Sequence, residues 1–366
     1  MGSKSRFTRF AGAALLSGFA LVTSACGAPP EDTAASSASS GSDSAVKACV
    51  VSDAGGFTDK SFNQSAKAGL DRAVSELGIE SATAESHGAA EYAPNISNLV
   101  AQDCTIIFGV GYTINDAIRD AARANPDIDF ALIDSRITED NNVIELDNAK
   151  PLVFSTAEAA YLGGYLAAGM TQTGKIGTWG GMQIPSVAIF MDGLADGIAR
   201  YNQDKGTSVE LLGWDKATQN GSFTGDFTDT AKGKQLTTNM IAQGADIIHP
   251  VAGNAGNGAL AAVREAAGTS VIWVDSDGYE STSDGDIIMT SVIKEIDQAV
   301  YDTIKAHADG DFSSEAYVGT LANGGVGLAP YHDYDSKVSD DLKAEIESLQ
   351  KEIEDGTTTV ETTNQP

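Results

Sequence analysis

Basic residues are scarce in this chain. Its 366 residues include 23 Lys and Arg against 51 Asp and Glu, a formal charge of −28. Gripping a phosphate backbone needs clustered Lys and Arg, so nucleic-acid binding is excluded. General docking on anionic lipid heads is excluded for the same reason. The apolar run Phe10–Val22 covers only 13 residues, too short for a comfortable membrane span. Histidines number four, at positions 87, 249, 307 and 332, without metal-ligand spacing. His249 lies inside an apolar strand pattern and reads as a core residue. No Gly-x-Ser-x-Gly nucleophile elbow occurs. Gly169 to Ile176 nearly matches a phosphate-binding loop but lacks its Ser or Thr. It also lies between a helix and the following strand, so it reads as a helix end and turn. Gly109-Val110-Gly111 lacks the third glycine of a dinucleotide fingerprint. Asp275-Ser276-Asp277-Gly278 opens like a calcium loop, but Tyr279 and Glu280 stand where a ligand and a glycine belong. Nothing here demands catalysis, a metal or a cofactor.

What is present is a globular body behind a leader. A hydrophobic content of 42% can build a core, and the length suggests two domains. Lys4, Arg6 and Arg9 precede the apolar run, and Thr23-Ser24-Ala25-Cys26 follows it. That order describes a secretory signal peptide over residues 1–25. Its end resembles the bacterial lipobox, which implies cleavage before Cys26 and a lipid on that cysteine. Residues 26–46 form a Ser-, Ala-, Gly- and acid-rich linker that cannot bury enough surface to order itself. Removing the leader leaves 20 basic and 51 acidic residues, a charge of −31. Export permits a disulfide between the remaining cysteines, Cys49 and Cys104, each at the start of an apolar strand.

From residue 47 short apolar strands alternate with helical patterns. Strands read over Ala48–Ser52, Thr105–Phe108, Phe130–Ile133, Lys175–Thr178, Val209–Leu212, Asp246–Pro250 and Val271–Val274. The first helix places Phe62, Ala66, Leu70, Ala73, Val74 and Leu77 on one face, with Thr58 or Asp59 as its cap. Further helices read over Ala157–Ala168, Gly193–Tyr201, Lys234–Gln243, Gly258–Ala267 and Lys337–Glu354. The alternation predicts an α/β fold with parallel sheets covered on both faces. The chain divides near residue 152. Residues 47–152 with 292–310 form a first lobe, residues 153–291 with 311–354 a second, and 355–366 a polar tail.

In open parallel α/β sheets, ligands sit beyond the carboxyl ends of the strands. Those ends carry Asp53 with Gly55-Gly56, Gly109-Val110-Gly111, Asp134, Gly180-Gly181, Gly253 and Asp275-Ser276-Asp277. Glycines admit close approach to backbone amides. Carboxylates accept hydrogen bonds from hydroxyl, amine or ring NH groups. Such a rim suits a neutral, donor-rich ligand such as a sugar or nucleoside, not a phosphate. A single strand-end Asp is as readily a helix cap as a ligand contact.

Asp53-Ala54-Gly55-Gly56-Phe57-Thr58-Asp59-Lys60-Ser61-Phe62-Asn63-Gln64 resembles the opening motif of the basic membrane lipoprotein family, the PnrA-like purine nucleoside-binding lipoproteins of ABC transporters. Further matches follow in order, at residues 159–164, 180–185, 227–234, 251–253, 274–277 and 290–294. The resemblance covers about residues 48–355. It implies a type I periplasmic-binding-protein fold: two Rossmann-like lobes, three crossing segments and a ligand between them. By motif, Phe62 and Phe227 look like the aromatics that sandwich the purine, and Asp134 like the carboxylate that reads its NH edge. Asp53, Asp277 and Lys294 look like ribose partners, Gly253 offers backbone, and Asn63 is a further contact. Phe223 competes with Phe227, and Asp275 with Asp277. The resemblance implies no enzyme and no cofactor. It implies a monomer anchored by lipid on the extracytoplasmic face of a bacterial membrane, handing an inosine-, guanosine- or adenosine-type ligand to a permease. Rival readings are a pentose-binding protein of the same fold, a nucleoside hydrolase, and a surface adhesin.

Overall fold

A computed structural model describes residues 46–365; Cys26, the leader and the linker before Val46 lie outside them. The chain first lays down β1 (Lys47–Val51), β2 (Glu80–Ala84), β3 (Ile106–Val110) and β4 (Asp129–Ile133). A small hairpin, β5 (Thr138–Glu139) and β6 (Asn142–Val143), precedes β7 (Ala149–Phe154). Helices α1 (Phe62–Leu77), α2 (Ala89–Val100) and α3 (Asn115–Ala124) are the crossovers. The second half repeats the plan. Helix α4 (Thr156–Met170) leads to β8 (Lys175–Gly180), α5 (Pro185–Lys205) and β9 (Glu210–Leu212). A hairpin, β10 (Trp214–Asp215) and β11 (Asn220–Gly221), precedes α6 (Thr230–Ala242) and β12 (Ile247–Val251). Then come α7 (Asn257–Arg264), β13 (Ser270–Asp275), the single turn α8 (Gly278–Ser281) and β14 (Ile288–Lys294). Helix α9 (Ile296–Asp309), β15 (Tyr317–Gly319), β16 (Val326–Leu328) and α10 (Asp340–Glu354) complete the body.

The strands form two six-stranded sheets of matching order, β15-β7-β4-β3-β1-β2 and β16-β14-β13-β12-β8-β9. All neighbours run parallel except β14 and β16. The chain passes between sheets three times: at Ser155, at Glu295 and through residues 320–325. The crossings are bonded together, Ser155 N to Gly319 O at 2.7 Å and Glu295 N to Gly325 O at 3.0 Å. Two boundaries move from the sequence expectation. Residues 292–294 end a strand of the second sheet, not the first, and residues 317–319 add an edge strand to the first. Three-residue strands and a strand ending in lysine carry too little periodicity to be assigned by pattern.

Packing explains the long helices. Helix α4 is buried on nearly every face, and α5 crosses it at backbone distance. A Cβ added at Gly197 would lie 1.9 Å from the Tyr161 carbonyl oxygen, so only glycine permits the crossing. Helix α1 is anchored by Asp59, whose carboxylate accepts from the amides of Ser61, Asn63 and Gln64 at 2.8–3.1 Å. Gly78 ends the helix in the left-handed conformation. Cys49 and Cys104 are joined by a disulfide. They are not register partners: Cys49 faces Ile107, and Cys104 precedes β3, with Cα atoms 6.1 Å apart. Closing a loop of this length is worth about 4 kcal/mol in the chain-entropy account. No helix among the described residues is long and apolar enough to cross a membrane.

Candidate functional site

The carboxyl ends of both sheets face one cleft, lined by residues of both lobes. The first lobe contributes Asp53, Phe62, Asn63, Gly111, Tyr112 and Asp134. The second contributes Phe190, Phe227, Gly253, Asp275 and Lys294. Seven of the eight expected ligand residues therefore line one cleft; Asp277 does not.

Asp277 is used elsewhere. Its carboxylate accepts from Tyr279 N at 3.0 Å, capping α8, and pairs with His332 Nε2 at 2.7 Å. The cleft carboxylate is Asp275. Being further beyond the strand does not bring a side chain into the cleft; backbone conformation does. Asp275 ends β13 and Asp134 directly follows β4, with φ of 68° and 62°. Both are non-glycine residues in the left-handed region, a strained state that persists where surroundings over-determine it.

What over-determines it is Lys294. Its ammonium lies 2.5 Å from Asp134 Oδ2 and 3.2 Å from Asp275 Oδ1, so one cation ties the two lobes. The rings of Phe62 and Phe190 flank it at 5.0 and 4.7 Å. Burial works against its charge, but the fields of Asp134 and Asp275 prevail and hold it above an ordinary lysine. Burial pushes Asp134 up, opposed by Lys294 and reinforced by Asp275.

Asp53 has one oxygen committed and one free. Oδ1 accepts from Gly55 N and Asn63 Nδ2, both at 2.8 Å, while Oδ2 has no protein partner among the described residues. Burial, opposed by those two bonds and aided by Asp59 and Asp275, pushes its pKa up to about 6. Asn63 is fully engaged. Its amide donates to Asp53 and Asp59 at 2.8 and 2.9 Å, and its Oδ1 accepts from Asp53 N. It orients Asp53 and has no hydrogen left for a ligand.

Phe62 begins α1 and Phe227 lies in the loop before α6, both half-buried. Phe227 covers Gly181, where a Cβ would lie 2.4 Å from its ring. Phe223 instead meets Trp214 edge-on at 6.1 Å and is not a cleft residue. Phe190 was missed by sequence reading. Its signal was its place one turn into α5 beyond Gly180-Gly181, in phase with the cleft residues Ser186 and Val187. Tyr112 lies at the mouth, 38% exposed.

The lobes also meet beside the cleft. Lys60, with φ 62°, offers its carbonyl to Trp273 Nε1 at 3.1 Å, Ser276 Oγ at 3.2 Å and Ser281 Oγ at 2.9 Å. Three donors from one lobe on an acceptor of the other describe a closed arrangement.

Over residues 46–360 the sequence matches the family described as ABC transporter substrate-binding protein, PnrA-like. The chain belongs to this family. It is 32% identical to the ABC transporter nucleoside-binding protein BmpA of Lactococcus lactis, over 86% of this chain and 89% of that one. It is 29% identical to the CD4+ T-cell-stimulating antigen of Listeria innocua, over 92% and 93%. A solved ABC transporter solute-binding protein of Aeropyrum pernix superposes with a TM-score of 0.76 at 28% identity, covering 86% of this chain and 92% of that one. The two-lobed architecture is thus the periplasmic-binding-protein-like fold expected from the sequence. As a member of the PnrA-like family the chain is an extracytoplasmic substrate-binding component with a permease partner, and not an enzyme.

Two buried groups make the stability of this binding protein pH-dependent with opposite signs. His249 donates from Nδ1 to Ile272 O at 3.0 Å, and burial pulls its pKa down to about 4. The unfolded chain then binds the extra proton between pH 6.5 and 4, and stability is lost as pH falls through that window. Asp53 binds its extra proton in the folded state between pH 6 and 3.8, and stability rises as pH falls. Asp53→Asn removes the second effect alone. Its stability relative to the parent is expected to fall by about 1.4 kcal/mol per pH unit across that window, measured by urea unfolding at pH 7, 6, 5 and 4. Parallel curves for the two proteins would reject a raised Asp53.

Proposed function

We propose that this protein captures a nucleoside of the purine class between its lobes and delivers it to an ABC permease. A lipid on Cys26 would hold it at the membrane. One observation carries the reading: each lobe brings a phenylalanine, Phe62 and Phe227, to a cleft whose floor holds Asp53, Asp134, Asp275 and Lys294. Two aromatic faces suit a flat base, since stacking is worth about 1–3 kcal/mol per base. Asp134 is the acceptor for the purine NH edge. Asp53, through its free Oδ2, and Asp275 with Lys294 serve the ribose hydroxyls, and Gly253 supplies backbone. Hydrogen bonds to charged groups contribute about 1.5–3 kcal/mol each. The Lactococcus relative, described as nucleoside-binding, supports the same class. Closure of one lobe on the other would exclude water and complete these contacts.

A thermal-shift screen of inosine, guanosine, adenosine, cytidine, ribose and free bases tests this. A ligand at a hundred times its Kd stabilises the fold by about 2.7 kcal/mol. Purine nucleosides are expected to raise Tm, and inosine to be recovered uncleaved. A shift with ribose and none with any nucleoside would transfer the site to a free sugar.

A further inference from the structure

The polar residues after α10 do not hang free. Val360 is buried, and Lys216 Nζ bonds the Glu361 carbonyl at 2.5 Å. Thr362 Oγ1 and Asn364 Nδ2 donate to Asp192 Oδ2 at 2.5 and 2.9 Å. Asp192 is a fully buried carboxylate on α5. Its other oxygen accepts from Trp214 Nε1 at 3.0 Å and Gln219 Nε2 at 2.9 Å. Half of the donors that satisfy this buried charge therefore come from residues 362 and 364.

The same cluster reaches the cleft. Asn364 Nδ2 also donates to Gln219 Oε1 at 2.8 Å. Gln219 occupies the left-handed region, with φ 52°, at the turn between β10 and β11. Its carbonyl accepts from Gln183 Nε2 at 2.6 Å, and Ile184 beside it lines the cleft. Beyond the hairpin, Trp214 supports Phe223, and the amides of Thr224 and Gly225 bond the carbonyls of Gly180 and Gly181 at 3.0 and 2.7 Å. The chain then arrives at Phe227. A non-glycine residue in the left-handed region holds only where its neighbours fix it. Loss of the tail's two side chains leaves Gln219 with fewer constraints and Asp192 short of donors.

We infer that residues 355–365 are a strap that positions the Phe227 loop and the Gln183-Ile184 rim, with Thr362 and Asn364 acting through Asp192 and Gln219 as positioning residues for ligand binding. The inference rests on reading the cleft as the ligand site. An aromatic wall that is not held in place must be ordered by the ligand itself, and affinity falls accordingly.

The test uses the full chain carrying Thr362→Ala with Asn364→Ala, and Asn364→Ala alone as the milder variant. Amide hydrogen exchange without ligand is expected to quicken about tenfold at Thr224 and Gly225 while the first-lobe strands are unchanged. Inosine affinity by calorimetry is expected to fall at least about fivefold, mainly through faster dissociation. Unchanged exchange at Thr224 and Gly225 in both variants overturns the strap. Local quickening with unaltered inosine affinity overturns its role in binding. Uniform quickening across both lobes overturns it as well, since that is what a merely structural tail would give. If the parent binds no nucleoside while the exchange effect appears, the nucleoside reading fails and the strap stands.

Discussion

Lys294→Met is expected to destabilise the folded chain by about 3–5 kcal/mol at pH 7, the cost of removing one partner from a buried ion pair. Lys294 is 2% exposed and is the cation between Asp134 and Asp275. Methionine fills much of the same volume, so the loss is electrostatic rather than a cavity. Two carboxylates then face each other across the lobes without a counter-ion. Burial already raises Asp134, and with the lysine gone its neutral form is favoured further. A raised carboxyl binds its proton in the folded state, so the deficit shrinks as pH falls towards the ordinary carboxylate range. Urea midpoints of parent and variant at pH 7 and pH 5 measure this. A variant equally destabilised at both values would show a packing defect instead. Nucleoside binding should fall in parallel, because the same lysine holds both carboxylates in the cleft.

Phe227→Ala is expected to weaken purine-nucleoside binding by about tenfold or more, and Phe62→Ala by at least as much. Removing one stacked ring costs about 1–3 kcal/mol, and 1.4 kcal/mol is a factor of ten. The variants are not equivalent. Phe227 lies over Gly181, whereas Phe62 also flanks the Lys294 ammonium at 5.0 Å. Phe62→Ala should therefore lose some unliganded stability that Phe227→Ala keeps. Phe223→Ala is the comparison from outside the cleft: its ring packs on Trp214 behind the Phe227 loop, so it is expected to weaken binding less than either cleft variant. Calorimetric titration of inosine into all three decides the matter. Unaltered affinity in both cleft variants would remove the sandwich.

Chain order made much of this readable. The strand at Lys47–Val51 and the helix from Phe62 follow from apolar runs, a glycine pair and Asp59 as cap. The fold class follows from the alternation of such units. The edge strand Glu80–Ala84 was not legible, because its sequence is mostly polar and exposed. Nor was the strand nature of Ile288–Lys294, whose last residue is a lysine that only a pair of carboxylates makes tolerable in the interior.

Sequence alone determined the acidic, two-lobed α/β character of the chain, its family, and a short roster of strand-end aspartates and of phenylalanines at or just before helix starts. These are properties of composition, period and motif, which need no coordinates. Tertiary structure alone decided which of those residues meet. Asp275 rather than Asp277 enters the cleft because its left-handed φ turns it towards Lys294, and Asp277 is spent on Tyr279 and His332. Asn63 orients Asp53 because its amide hydrogens are already taken. The tail docks because Asp192, a hundred and seventy residues away, is buried and needs donors. Each choice depends on where a hydrogen-bond partner or counter-charge stands in space, and spacing along a chain does not encode that distance.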